Sequence, residues 1–475
     1  MPVISDRNIN AAKAGLWYTI GNIILKGCVF FSLPVFTRLL STEDFGIYNS
    51  YIAYENLISA VLGLGLYGTI KNAKIDFQEE FDSYISSVFA LSIFTFTIVF
   101  LIANWMYPVY SEIIGFSRPI INCLICQSFG SYFIHFYGTK LNAEFKYKSY
   151  LLVSVFNTIG SIILSIILII FVFPNQRFVG RIIGSAIPPI LLVIILGAMV
   201  ISRGRIVTDK KYWRYGLSIG LPLVPHVISQ SVLSQFDRIM IKNMVGASQS
   251  GIYSSIYTIC TITNVICLSL DNAWTPWMFY QVHDGKQIEV REVSKKYIDL
   301  FSLLTLGFIC VMPEISRIMT DVEYWGGIDL LCPITLSNYC VFMYLMPVSL
   351  EYYNKKTAYI SVGTLCAALL NLVLNLCGIK WFGYKAAAYT TLISYFSLFC
   401  FHYFMASKYS IDSILNVKRA VYSFLILTAF SGILLIFGQF SLFGTIFRII
   451  GLMFITGYVI INKNFLTRLL RSLKK

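Results

Sequence analysis

Residues 84–106 read YISSVFALSIFTFTIVFLIANWM and carry no charged side chain. A helix rises about 1.5 Å per residue, so a run of this length crosses the roughly 30 Å hydrocarbon core of a bilayer. The run is continuous, which separates it from the alternating ten-residue strands of a membrane barrel. Similar windows recur at 14–37, 46–69, 119–138, 150–173, 179–201, 213–236, 250–276, 298–319, 329–350, 358–379, 384–406, 419–438 and 442–462. Together they predict an all-α polytopic membrane protein of about fourteen transmembrane helices. The first window is longer than the apolar part of a signal peptide and holds Lys26 at its centre, so it is expected to remain as a span.

The rest of the composition agrees. The chain has 475 residues, 57% hydrophobic and 13% charged, against about 45–50% and 25% in soluble domains. A net charge of +14 in a soluble protein would suggest nucleic acid. Here its distribution explains it. Of 37 Lys and Arg, 26 fall in the connections on the side that holds both termini and 9 on the other side. Cytoplasmic loops are enriched in these residues, so both termini are expected in the cytoplasm and nucleic acid is not expected as a partner. The 11 cysteines lie mostly within apolar windows and read as free, small hydrophobes. Cys123 and Cys126 form a CxxC without a second ligand pair. Walker A, HExxH, GxSxG and EF-hand patterns are absent from the sequence, and no connection is long enough for a catalytic domain. The expectation is a transport protein without metal or cofactor, and not an enzyme.

The chain repeats itself. RLLSTEDFGIYNSYI at 38–52 matches NMVGASQSGIYSSIY at 243–257, placing Gly46, Ile47, Tyr48 and Ser50 over Gly251, Ile252, Tyr253 and Ser255. A similar offset places KYKSY at 146–150 over KKTAY at 355–359. The offset spans six windows, and an even number keeps the orientation, so the copies are parallel repeats. The expected organisation is a first six-helix lobe at 1–205, a second at 206–410, and a C-terminal pair of helices with a basic cytoplasmic tail at 411–475.

The stretch LPVFTRLLSTEDFGIYNSY at 33–51, through Pro34, Thr37, Arg38, Leu40, Ser41, Asp44, Gly46 and Tyr48, resembles the opening of Wzx-type polysaccharide repeat-unit flippases. These belong to the multidrug/oligosaccharidyl-lipid/polysaccharide (MOP) exporter superfamily. FDRIMIKNMVGASQSGIYS at 236–254 is similar to the start of that family's second lobe through Asp237, Arg238, Gly246, Gly251 and Tyr253. Many members have twelve helices, and the extra pair here resembles the fourteen-helix branches. The resemblance implies two lobes around a central cavity in a bacterial inner (cytoplasmic) membrane. It implies O-antigen or capsule repeat units on undecaprenyl pyrophosphate as cargo, moved to the periplasmic leaflet by alternating access. A polysaccharide polymerase and a chain-length regulator would be partners.

Such a cargo needs cations facing a cavity at membrane depth, and an ionisable residue there is a functional candidate. Lys26 sits about 17 Å from the outer end of its window and Glu55 about 14 Å from the outer end of the next. Lys26 therefore reads as a phosphate-binding cation, as one half of an ion pair with Glu55, or as both in turn. Arg38, Arg238 and Lys242 read as an exit-side cationic rim, as gates pairing with Glu43, Asp44 or Asp237, or as interfacial anchors. Arg118, Arg177 and Arg181 repeat the idea more weakly. In LPLVPH at 221–226, Pro222 and Pro225 favour a kink, and His226 beside them is either a proton-coupled gate or a packed histidine. Asp271 and Trp274 suit sugar contact, or an interfacial aromatic belt. Arg448, about 9 Å from the outer end of the last window, would meet lipid or substrate phosphate or snorkel. Gly180 and Gly184 form a GxxxG suited to close helix packing. A cation-coupled multidrug exporter of the same superfamily and a membrane polysaccharide polymerase are the competing readings.

Overall fold

The computed structural model describes residues 21, 24–409 and 411–461. The start of the first window and the basic tail lie outside the described residues. The helices are α1 (24–39), α2 (Thr42–Leu62), α3 (Ile70–Asp76), α4 (Phe81–Ile114), α5 (Arg118–Ala143), α6 (Tyr147–Ile167), α7 (Arg177–Gly204), α8 (Lys210–Gly220) and α9 (Val224–Met244). They continue with α10 (Ala247–His283), α11 (Gln287–Met319), α12 (Leu331–Tyr353), α13 (Thr357–Phe382), α14 (Ala386–Ser407), α15 (Ile411–Ile414), α16 (Val417–Phe437) and α17 (Leu442–Ile461).

The protein is an all-α polytopic membrane protein. Each window expected from the sequence falls on these helices, the first in part and that at 213–236 across α8 and α9. Among the described residues, ten stretches are long and apolar enough to span a bilayer by themselves. The other windows fall on α1, α2, α5 and α14. On α5 the cause is visible: it buries Gln127, Ser128 and Lys140 against neighbouring helices, where polar groups find partners instead of lipid.

Contacts divide the chain into two compact units. One holds Met1–Ser254 and Ala368–Tyr384, the other Ser255–Ala367 and Lys385–Lys475. In the first, α7 packs against α4, α5 and α6. The expected GxxxG explains one of these crossings. A Cβ on Gly184 would lie 2.4 Å from the Ser165 Cα on α6, and one on Gly180 3.0 Å from the Ile169 nitrogen. The core of this unit is aromatic, with Tyr84, Phe89, Tyr132, Phe133 and Phe136 buried together. Its phenols are satisfied: Tyr84 and Thr69 share a hydrogen bond of 2.6 Å, and Tyr132 and Ser92 one of 2.7 Å. This removes the desolvation cost a buried hydroxyl otherwise carries.

In the second unit α12 is the centre. Nearly all of its residues are buried, against α14, α11 and α16. The C-terminal pair α16 and α17 docks on α11.

Candidate functional site

Two helices of the first unit are interrupted, and the interruptions meet. After α2 the chain turns through Leu64 (φ 46°) and Gly65 (φ 67°) into a 3-10 turn, Leu66–Thr69, and then α3. At LPLVPH, the 3-10 turn Leu221–Leu223 separates α8 from α9, as Pro222 and Pro225 predict. A Cβ on Gly65 would lie 2.2 Å from the Gly220 carbonyl oxygen, and one on Gly220 2.6 Å from that of Leu64. The two backbones therefore touch where both helices break, and Gly65 also holds a left-handed conformation that side chains disfavour. Beside this junction Pro222 and Pro225 are exposed and His226 is half-buried. The His226 Nδ1 has no hydrogen-bond partner among the described residues.

The repeated segments also meet. Ser41 caps α2 by accepting from the Asp44 N–H at 3.1 Å, which accounts for the LSTED pattern. A Cβ on Gly46 would fall 1.8 Å from the Ala247 carbonyl oxygen, and one on Gly251 1.9 Å from that of Thr42. These are reciprocal, because the repeat's offset of 205 carries Thr42 to Ala247 and Gly46 to Gly251. Thr42 and Ser248 share a hydrogen bond of 2.7 Å, and Ser50 donates to the Arg238 carbonyl oxygen at 3.3 Å. The matched glycines thus allow the first turns of α2 and α10 to cross in backbone contact.

The cations of this unit serve varied ends. Lys26 is exposed on α1 and forms no ion pair among the described residues. Its expected partner Glu55 is buried on α2, with a hydrogen bond to Ser131. Arg38 is exposed and donates to its own helix at the Pro34 carbonyl oxygen, 2.9 Å. Arg238 is buried on α9 beside Gln235. Lys242 donates to the Ile114 carbonyl oxygen at 2.9 Å and lies 4.0 Å from the Phe116 ring centroid. Arg177 donates to the Leu39 carbonyl oxygen at the end of α1, 2.9 Å. Arg181 lies 3.6 Å from the ring centroid of Phe36 and 4.5 Å from that of Tyr48. Lys242 and Arg177 place positive charge on carbonyl groups at helix C-termini, where the backbone dipole favours it. Asp237 is buried and accepts from the Tyr253 hydroxyl at 2.7 Å and the Asn375 amide at 2.6 Å, joining α9, α10 and α13.

Among the sequence-predicted residues of the second unit, Asp271 is half-buried and accepts from Thr275 at 3.1 Å. Trp274 is buried, stacked on Tyr297 at 5.0 Å and tilted against Trp277. Arg448 is buried on α17, donating to the Cys310 carbonyl oxygen at 3.1 Å and to the Glu314 carboxylate. It joins α17 to α11.

Sequence reasoning missed two groupings of ionisable side chains. In the second unit His402 and Glu351 are fully buried, with the His402 Nδ1 3.0 Å from each carboxylate oxygen. No spacing rule connects residues on α12 and α14, so the sequence carried no signal. In the first unit Lys140, almost fully buried, lies 2.9 Å from Asp82 and 2.8 Å from Glu144, which Lys146 also approaches at 2.8 Å. Only the Lys140–Glu144 spacing on one helix was visible beforehand. Burial works to raise the Glu144 carboxyl, but its bonds from Lys140 and Lys146 win and hold it below the ordinary range.

Membrane-length helices, two of them broken where they touch, define a polytopic all-α membrane fold. Solved structures share it. The lipid II flippase MurJ in an inward closed conformation has a TM-score of 0.70 and 16% identity over 95% of this chain and 99% of that one. An inward-facing multidrug resistance MATE family transporter of the MOP superfamily has a TM-score of 0.65 and 12% identity over 83% and 96%. A MOP superfamily transporter from Pyrococcus furiosus has a TM-score of 0.59 and 12% identity over 85% and 96%. Residues 11–281, more than half of the chain, match the family model described as polysaccharide biosynthesis protein, and the chain belongs to that family. No curated protein matches it.

Proposed function

We propose that this chain is a flippase for undecaprenyl-pyrophosphate-linked oligosaccharide repeat units, of O-antigen or capsule type, carrying them from the cytoplasmic to the periplasmic leaflet of a bacterial inner membrane by alternating access. The observation that carries this reading is membership of the polysaccharide biosynthesis family on a fold shared with a structure described as a lipid II flippase. Both termini would be cytoplasmic, as the asymmetry of Lys and Arg favours. The division into lobes 1–205 and 206–410 with a C-terminal segment 411–475 belongs to the same proposal. It is supported by the reciprocal contact of Gly46 and Gly251. A polymerase and a chain-length regulator would act on the delivered units.

Lys26 is the residue proposed to meet the pyrophosphate. It lies in an apolar window, is exposed, and is not spent on an ion pair among the described residues. A cation at such depth is costly unless it serves a pathway or a partner. Arg38, Arg238 and Lys242 are proposed to guide the head group, with Asp237, Glu55, His226 and the Pro222–Pro225 break in coupling or gating. Asp271 and Trp274 are kept as the proposed sugar contacts and Arg448 as a further phosphate contact.

The test is deletion of the gene in its host, with undecaprenyl-linked glycans and surface polysaccharide measured in the same cells. Complete repeat units accumulating on the lipid while surface polymer disappears supports the reading. A single-unit product on the outer leaflet points to a polymerase instead. Both pools unchanged, in a strain without a second flippase, overturns it. Unchanged pools combined with drug sensitivity favour the exporter reading, which the MATE-like fold also accommodates. Lys26→Ala at native expression is expected to abolish surface polymer while inserting normally, and normal polymer would remove the role given to Lys26.

A further inference from the structure

We infer that a hollow at one end of the second unit, between Arg317, Trp325, Lys385 and Phe440, binds a phosphate group carried by a membrane lipid.

The hollow is open on one side and has a volume of about 240 Å³. It forms where the last turn of α11, the 3-10 segment Val322–Leu330, the start of α14 and the link between α16 and α17 come together. Gln439 also lines it, buried and donating from its amide to the Ile328 carbonyl oxygen at 3.4 Å.

Arg317 is the residue that points to a ligand. Its guanidinium lies 3.3 Å from the ring centroid of Phe440 and 4.9 Å from that of Trp325. The rings constrain the guanidinium but cannot satisfy its in-plane N–H groups. Those groups have no hydrogen-bond or ion-pair partner among the described residues. An arginine that only snorkels would keep a mobile head in water. One held on aromatic rings with its donors open is pre-organised for a planar, bidentate acceptor, and phosphate is such an acceptor. Lys385 supplies a second cation. It pairs with Asp329 at 2.6 Å, both about half exposed, so that pair is neutral and Arg317 leaves the hollow with a net positive charge.

The surroundings indicate the source of the phosphate. Ile318, Val322, Leu442 and Phe443 are all exposed at this end of the unit. Four large apolar side chains beside a cationic hollow match the boundary between acyl chains and head groups, where aromatic and cationic residues concentrate. The inference does not rest on the flippase reading, since no residue of this hollow has a part in it.

The test uses the full-length protein, purified and delipidated in a neutral detergent, titrated with short-chain phosphatidic acid and followed by native mass spectrometry. Arg317→Ala is expected to weaken binding roughly tenfold, the scale of a lost charge-assisted contact. Phe440→Leu, which keeps the charge and removes the ring, is expected to weaken it several-fold. Arg419→Ala, which breaks an ion pair with Asp299 elsewhere in the unit, should leave it unchanged. Arg317-dependent binding that millimolar inorganic phosphate does not displace assigns the site to the lipid-borne form. Displacement of the lipid by inorganic phosphate would overturn the lipid as source and leave free phosphate as the ligand. Wild-type affinity in folded Arg317→Ala overturns the inference. Should that variant not fold, wild-type affinity in Phe440→Leu overturns it.

Discussion

Removing either partner of the Glu351–His402 pair should destabilise the protein far more than removing both. The two side chains are 0% and 1% exposed, and a buried group deprived of its partner keeps its desolvation cost without the compensating bond. For a buried pair, breaking one side costs about 3–5 kcal/mol, whereas replacing both with apolar residues of similar volume is often neutral. At about 1.4 kcal/mol per factor of ten, Glu351→Ala or His402→Ala is expected to shift the folding equilibrium by more than about a hundredfold. Packing adds to this. A Cβ on Gly363 would come within 2.9 Å of the His402 Nε2 and 2.7 Å of Phe401, so α13 lies close against the pair and the vacated space cannot easily collapse. The double variant Glu351→Leu/His402→Leu should recover most of the loss. The assay is a double-mutant cycle on the detergent-solubilised protein, with Glu351→Leu and His402→Leu as its singles and reversible unfolding in SDS as the readout. Singles within about 0.5 kcal/mol of wild type, or a double loss equal to the sum of the singles, would refute the reasoning.

Two further predictions concern the first unit. Gly46→Ala and Gly251→Ala should each lower stability by about 1–3 kcal/mol through overpacking, because either Cβ would sit under 2 Å from a carbonyl oxygen of the other helix. Thermal unfolding of the solubilised protein checks this, and an unchanged midpoint for both would mean that the crossing is loose. The lowered carboxyl of Glu144 sets a pH dependence. A folded-state value below the unfolded one makes its contribution complete above about pH 4.3, the ordinary glutamate value, and lost as pH falls through the lower folded value. Acid unfolding should therefore be less steep in Glu144→Gln, and an unchanged acid limb would show that the Lys140–Glu144–Lys146 contacts contribute nothing.

The parts of the candidate site differ in how far they could be read in advance. Pro222 and Pro225 announce their break because proline lacks the N–H that a continuing helix needs. The break after α2 is quieter, since GLGLYG at 63–68 could continue a helix at modest cost. Only its contact with Gly220 explains why it does not. Lys26 and Glu55 matched in depth along their helices, but depth does not give rotation, and Glu55 turns to Ser131. Lys242 and Arg177 were legible as cations near helix ends, and their acceptors Ile114 and Leu39 belong to other helices that no local pattern names.

Membrane residence, the approximate positions of the spans and the match between the segments at 38–52 and 243–257 could all be read from the residues alone. The first two follow from a single physical constraint. Unpaired backbone groups are excluded from hydrocarbon, so each crossing must be a long apolar helix, and length and hydropathy are properties of consecutive residues. The matched Gly46 and Gly251 were visible too, as letters. That each sits against the carbonyl group of the residue four positions before the other emerged only when α2 and α10 crossed. The same holds for Glu351 with His402, Glu314 with Arg448, and Arg317 between Phe440 and Trp325. Within one helix, neighbours recur at fixed intervals and leave a trace in the sequence. Between helices, the partner depends on rotation and crossing, which the packing of the whole unit selects.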